Sequence, residues 1–298
     1  MSGSRLSSFL KGVAKKWEVL YFFVPGVLVI LLITIYPIFN SIWLSVHETR
    51  YLRTTSFAGL GNFVKFLTDP SSLRTIKASL IYVTGTVALS LPLGFILAVI
   101  LNRDLRFKGL LRSIIILPWI MAQVVTALLW KWLLDPVYGP VAYWIQRLGL
   151  GRADIFGNQY SSMFALILAN VWRCYPLAMI LILASFQTVP GELYEAARID
   201  GASKLQSFTK ITFPLIRSTI LITTILLTLN TFNMVTLILV LTAGGPFGYT
   251  EVLALRVYRE SFEIWNVGLA SAAGLLILAF NILFSIVYIS IIKQESLY

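Results

Sequence analysis

EAARIDGASKLQSFTKITFP, residues 195–214, is a polar, charged interval set between two strongly apolar stretches. Glu195 is followed by Ala196 and Ala197, Gly201 stands six positions after the Glu, and Ile211 and Pro214 close the interval. The pattern predicts a short helix near 191–200, a change of direction at Gly201, where a missing side chain frees the backbone, and a second helical turn through Lys210 towards Pro214. Ala196 and Ala197 leave a flat surface for close approach beside the charge of Glu195. Two short helices hinged in this way form a wedge that a groove on another protein can receive.

The flanking segments show which solvent surrounds this loop. Apolar residues make up 58% of the 298-residue chain and charged residues 12%, against roughly 45–50% and 25% in soluble domains. Six long stretches meet or nearly meet the roughly 20 residues that a helix needs to cross the hydrocarbon core. The expected spans are 19–45, 78–101, 112–134, 161–187, 216–242 and 265–292. The chain therefore reads as an all-α integral membrane protein with six transmembrane helices. Residues 18–298 form a single domain carrying the 188–217 loop, because no connection is long enough for a core of its own.

Within 1–17, Leu6, Phe9, Leu10 and Val13 recur at helical spacing opposite Lys11, Lys15 and Lys16. This suits a cytoplasmic amphipathic segment lying on an anionic membrane face. The first apolar run is too long for a signal peptide and lacks a small-residue cleavage pattern, so it reads as a retained helix. A short interfacial helix is expected within 57–77, and Asp135-Pro136 and Gly139-Pro140 mark turns after the third span. Pro25, Pro37, Pro92, Pro118 and Pro176, in or near spans, each free a carbonyl and predict kinks.

The net charge of +11 comes from Lys and Arg spread around helix ends, not from a stripe. This is a topology signal and argues against nucleic acid. It places both termini in the cytoplasm, although Arg50, Arg53, Lys65, Arg74 and Lys77 crowd the first outside loop.

The 195–214 interval resembles the loop of binding-protein-dependent ABC importer permeases, E-A-A, three residues, G, nine residues, I-x-L-P, and departs from it only at Phe213. A second stretch, LTAGGPFGYTEVLALRVYRESFEIWNVGLASA at 241–272, is similar to the region after the fifth helix of sugar-type permeases. Leu241, Thr242, Gly244, Gly245, Pro246 and Thr250 fill its first slots, and Tyr258, Phe262, Gly268, Ala270, Ser271 and Ala272 the later ones. Gly-Gly-Pro is also a helix stop and turn in its own right. From 57 to 292 the chain resembles the carbohydrate-uptake branch, the maltose-type and glycerol-phosphate-type permeases.

That resemblance implies the type I ABC importer permease (MetI-like) architecture in a bacterial inner membrane. The implied partners are a second homologous permease subunit, two copies of an ABC ATPase and an extracytoplasmic solute-binding protein, besides membrane lipid. Glu195, Ala196, Ala197 and Gly201 carry over to ATPase docking, as the coupling helix. The implied substrate is a sugar or oligosaccharide, with a polyol or an anionic derivative such as glycerol phosphate as the alternative.

Substrate contacts are expected from polar side chains within spans, which are expensive in lipid and face a cavity or another helix. Asn170, Arg173, Cys174 and Leu177 share one face of the fourth helix, the face that bears sugar-contacting positions in the maltose-type permease. Asn230 and Asn233 stand three apart on the fifth, among Thr228, Thr231 and Thr236. Amides and hydroxyls both donate and accept, as sugar hydroxyls demand, yet the same groups also join membrane helices together. Arg173 reads either as a counter-charge for an anionic substrate or as a structural residue bonded to carbonyls at the kink before Pro176. Trp172 and Tyr175 point away from the Asn170 face and read as packing.

Cys174 and His47 are each the sole residue of their type, so neither a disulfide nor a Cys/His zinc site is available. No Gly-Lys dipeptide occurs, which excludes a P-loop and leaves ATP hydrolysis to a separate subunit. No cofactor is expected. The spans carry no ionisable pairs or inverted repeat of the kind a secondary transporter uses.

Overall fold

The computed structural model describes residues 21, 23–51, 53–149 and 154–293. The expected amphipathic segment at 1–17 lies outside the described residues. In chain order the elements are α1 (Phe23–Ser45), the hairpin β1 (His47–Arg50) and β2 (Arg53–Phe57), α2 (Gly61–Thr68) and α3 (Pro70–Leu101). Then come α4 (Lys108–Ile120), α5 (Gln123–Leu133), α6 (Pro140–Arg147), α7 (Gln159–Phe186) and α8 (Gly191–Ile199). The chain continues through α9 (Lys204–Phe232), α10 (Thr236–Leu241), α11 (Leu253–Phe262) and α12 (Val267–Lys293). Helices α1, α3, α7, α9 and α12 are each long and apolar enough to cross a membrane. The antiparallel hairpin is a small departure from an all-helical chain.

The third expected span is not one straight helix. Helices α4 and α5 meet at 96° across Met121 and Ala122, both extended, with ψ of 139° and 140°. Pro118 has no N–H to offer the Ile114 carbonyl, which weakens the last turn of α4 just before the break. The fifth span also differs from expectation. It begins at Lys204, so the anticipated second docking turn is the foot of the spanning helix itself, and it ends at Phe232, where Asn233 caps it before α10.

Two wide π turns, Leu31–Ile35 and Phe208–Thr212, each end two residues before a proline, Pro37 and Pro214. A proline ring collides with the carbonyl four residues back, and a locally widened turn relieves that collision without ending the helix.

The core is the crossing of α3 with α7. A Cβ on Gly94 would lie 2.6 Å from the Ala178 Cβ and 2.8 Å from the Met179 nitrogen, and one on Gly85 2.8 Å from Ile167 Cδ1. Buried Ala78, Ala98, Ala165, Ala169 and Ala178 continue this interface. Small residues allow backbones to approach where lipid offers no hydrophobic drive between helices. Phe232 of α9 stacks on Phe280 of α12 at 6.0 Å. The hairpin is laid on the start of α12, where Gly268 donates its N–H to Thr49 Oγ1 at 2.7 Å. Asn62 of α2 donates to the carbonyls of Ser45 and His47, fixing the turn out of α1.

Candidate docking loop and translocation face

Because α7 leads into α8 and α8 into α9, the 191–214 segment sits at one end of the bundle, and the hairpin, α6 and α11 sit at the other. Helix α8 carries Glu192 in its first turn and Arg198 in its last, the arrangement that suits the helix dipole. Its end is a Schellman turn. Ala202 donates to the Ala197 carbonyl at 2.9 Å and Gly201 to Arg198 at 3.2 Å, with Gly201 left-handed at φ +75°. The next helix opens with a capping box, in which Gln206 N–H donates to Ser203 Oγ and Ser203 N–H to Gln206 Oε1. A helix stop and a helix start thus stand back to back around Gly201 and Ala202.

Glu195 and Ala196 are exposed, whereas Ala197 is buried on the inner side of α8. Ile199 and Leu205 project from either side of the hinge, 87% and 71% exposed. Charge, the small side chain of Ala196 and two bare aliphatic side chains are therefore all exposed around this hinge. Tyr194 and Thr212 join α8 to the foot of α9 through a hydroxyl–hydroxyl bond of 2.7 Å.

In the middle of the bundle, Asn170 is fully buried, its Oδ1 accepting from Cys174 Sγ at 3.4 Å and its Nδ2 without a partner. It faces protein in this conformation and lines no opening. The carbonyl bonds expected of Arg173 near Pro176 are not made; its Nε is buried and unpartnered, with Tyr82 and Cys174 as electrostatic neighbours. Asn230 and Asn233 are both exposed, and Asn233 donates from its side-chain amide to the Leu229 carbonyl at 2.8 Å. Trp172 meets Trp130 edge-on at 6.3 Å, a packing contact.

Sequence reasoning noted Thr231 but missed the rest of the opposite wall of this region. Tyr82, Thr86 and Ser90 of α3, each buried with an unpartnered hydroxyl, face inward, as do Thr126 of α5 and Thr231 of α9. Their spacing along α3, i, i+4 and i+8 in a charge-free run, is a legible signal of one polar face. Unpartnered polar groups are costly in hydrocarbon, so this closed seam is a place where water, a ligand or a second helix arrangement would be favoured.

At the far end, the turn after α10 is held by Thr250 Oγ1, which donates to the Gly245 carbonyl at 2.7 Å and lies 2.8 Å from Thr242 Oγ1. Arg259 bridges Glu251 and the Ala243 carbonyl, and Arg256 pairs with Glu260 at 2.9 Å. Glu251 and Glu260 are almost wholly buried. Desolvation pushes the Glu260 carboxyl above its usual range, against the opposing pull of Arg256 and Lys65. At the start of α3, Asp69 accepts from Ser71 and Ser72, and these bonds hold its carboxyl at about 2.

Spanning helices, a broken third span and an exposed hinged loop between the fourth and fifth crossings define a membrane permease. The chain belongs to the family of binding-protein-dependent transport system inner membrane components, whose sequence model matches residues 90–293. It is 31% identical over 90% of both chains to the trehalose/maltose transport system permease protein MalF of Thermococcus litoralis. To the sn-glycerol-3-phosphate transport system permease protein UgpA of Agrobacterium fabrum it is 30% identical, covering 85% of this chain and 87% of that one. A chain of a bacterial alginate ABC transporter, solved in complex with an alginate pentasaccharide-bound periplasmic protein, shares the fold. The TM-score is 0.80 at 22% identity, over 93% of this chain and 94% of that one. The all-α MetI-like permease architecture expected from the 195–214 and 241–272 motifs is thus borne out.

Proposed function

We propose that this chain forms half of the translocation path of an ATP-driven sugar importer. Its partners are a second homologous permease, two copies of an ABC ATPase and an extracytoplasmic solute-binding protein, with both termini in the cytoplasm. The hinged loop carries this reading. Glu195, Ala196 and Gly201 are exposed on a rigid wedge, Ala197 anchors that wedge from within, and α9 continues it without interruption into the membrane. Closure of the ATPase subunits on the wedge would move α8 and α9 as one body. The mid-membrane seam lined by Asn170, Arg173 and Tyr82, with Asn230 and Asn233 on α9, would then open to one side or the other. Relatives named for trehalose/maltose and glycerol-3-phosphate support a saccharide or sugar derivative as cargo.

A narrower reading, an anionic sugar derivative, is favoured by Arg173. No Asp or Glu lies in any described span, so no carboxylate of the described spans neutralises its half-buried guanidinium.

The test is reconstitution of the full complex carrying Glu195→Lys. A reversed charge at the docking surface should weaken retention of the ATPase and abolish stimulation of hydrolysis by loaded binding protein. Wild-type retention and stimulation would remove the coupling role. For the narrower reading, Arg173→Gln should lose uptake of a sugar phosphate while sparing a neutral disaccharide.

A further inference from the structure

At the end of the bundle opposite the docking loop, α3 and α7 diverge and leave a cleft of about 520 Å³. Each helix contributes one face at i, i+3, i+4 and i+7: Arg74, Lys77, Ala78 and Ile81 from α3, and Tyr160, Met163, Phe164 and Ile167 from α7. Both walls grade in the same direction, from cationic or phenolic at the rim to wholly apolar about two turns deeper. The cleft closes where Gly85 meets Ile167. Tyr249 stands at the rim, half-exposed. None of the lining residues is acidic, and Arg74 and Lys77 make no ion pair among the described residues.

We propose that this cleft binds an anionic phospholipid of the outer leaflet, with the phosphate between Arg74 and Lys77 and the upper acyl chain against Ile81, Phe164 and Ile167. Two unneutralised cations above an apolar floor match a phosphate joined to hydrocarbon. A free phosphate would leave that floor bare. The site also accounts for cations that run against the inside-positive bias of membrane proteins: on this face they are held by lipid phosphate.

The choice of leaflet rests on the orientation proposed above. Labelling of Tyr138→Cys by an impermeant reagent from outside reads orientation alone. A chain that fails to label there loses the outer-leaflet assignment, and lipid retention is judged separately.

The lipid test uses the assembled transporter reconstituted in equal phosphatidylglycerol and phosphatidylcholine, extracted in mild detergent and weighed by native mass spectrometry. Wild type is expected to retain phosphatidylglycerol selectively. Arg74→Gln with Lys77→Gln should cut that selectivity roughly 30-fold at low salt, about fivefold per cation. Ile81→Trp, which fills the floor and leaves both cations, should also lose the lipid. Undiminished selectivity in the double variant, or displacement of the lipid by an equal concentration of inorganic phosphate, would overturn the proposal. Cross-linking of Phe164→Cys to the second permease subunit would overturn it too, because the cleft would then be a subunit contact.

Discussion

The hydroxyls of Tyr194 on α8 and Thr212 at the foot of α9 lie 2.7 Å apart, with Thr212 buried. The bond crosses the hinge at Gly201, so a push on α8 reaches α9 through a side-chain strut as well as through the backbone. Tyr194→Phe removes the strut and keeps the ring. Since such a bond is worth about 0.5–1.5 kcal/mol, the variant should hydrolyse ATP at the normal rate while moving fewer substrate molecules per ATP. An unchanged transport-to-hydrolysis ratio would show that the backbone alone carries the motion.

Gly201 separates conformation from crowding. Its φ is +75°, yet no atom lies within 4 Å of where a Cβ would stand. Gly201→Val should strain the left-handed turn by about 1–2 kcal/mol and uncouple hydrolysis from transport. Gly201→Asn should keep most coupling, because Asn tolerates that conformation. Pull-down of the ATPase and stimulated hydrolysis measure both; equal loss in the two variants would point to a steric contact with the partner instead.

Asn170→Ala and Asn233→Ala should lower uptake by up to about tenfold while leaving assembly and basal hydrolysis intact. Cys174, bonded to Asn170 and 3% exposed, is the chain's sole cysteine and a native reporter of the seam. Its reaction with a water-soluble maleimide should be slow at rest and accelerate during turnover. Protection that never changes would mean that Asn170 joins helices and meets no substrate.

At the α3–α7 crossing, Gly94→Ala should destabilise the protein by about 1–3 kcal/mol, since the added methyl meets the Met179 nitrogen and the Tyr175 carbonyl, backbone atoms that cannot swing aside. Gly274→Ala, with open space around it, is the control and should cost nothing from packing. Thermal unfolding in detergent compares the two.

The Arg256–Glu260 pair predicts a pH dependence. Burial raises the Glu260 carboxyl above its unfolded value of 4.5, so between the two values the folded state holds the extra proton. Its contribution to stability is full below the unfolded value and is lost as pH rises through the folded one. Glu260→Gln should flatten the stability profile in that window. A profile with unchanged slope would assign the pH dependence to other groups.

The loop was legible almost residue by residue. The glycine after the last helical turn acts through bonds to its own neighbours and breaks the helix where it was expected, whereas the Ser203–Gln206 cap, equally local, went unread and the second turn proved to be the foot of α9. The spans announced themselves by long runs without charge. The break at Met121–Ala122 did not, although Pro118 marked a weak point: a freed carbonyl kinks a membrane helix slightly or turns the chain by 96° depending on what surrounds it. Asn170 and Cys174 do meet along α7, as their spacing implied, but whether that face meets a cavity or Tyr82 depends on where α3 lies.

The sequence by itself determined the apolar solvent, the existence of the spanning segments and the hinge at Gly201, because each rests on the composition or backbone chemistry of contiguous residues. Only the tertiary structure decided that Asn170 is sealed against α3, that Arg173 lies beside Tyr82 and Cys174, and that Arg74 and Lys77 share a cleft with Phe164. Those relationships join residues far apart in the chain, and helices cross only where small side chains such as Gly94 and Ala178 allow their backbones to touch.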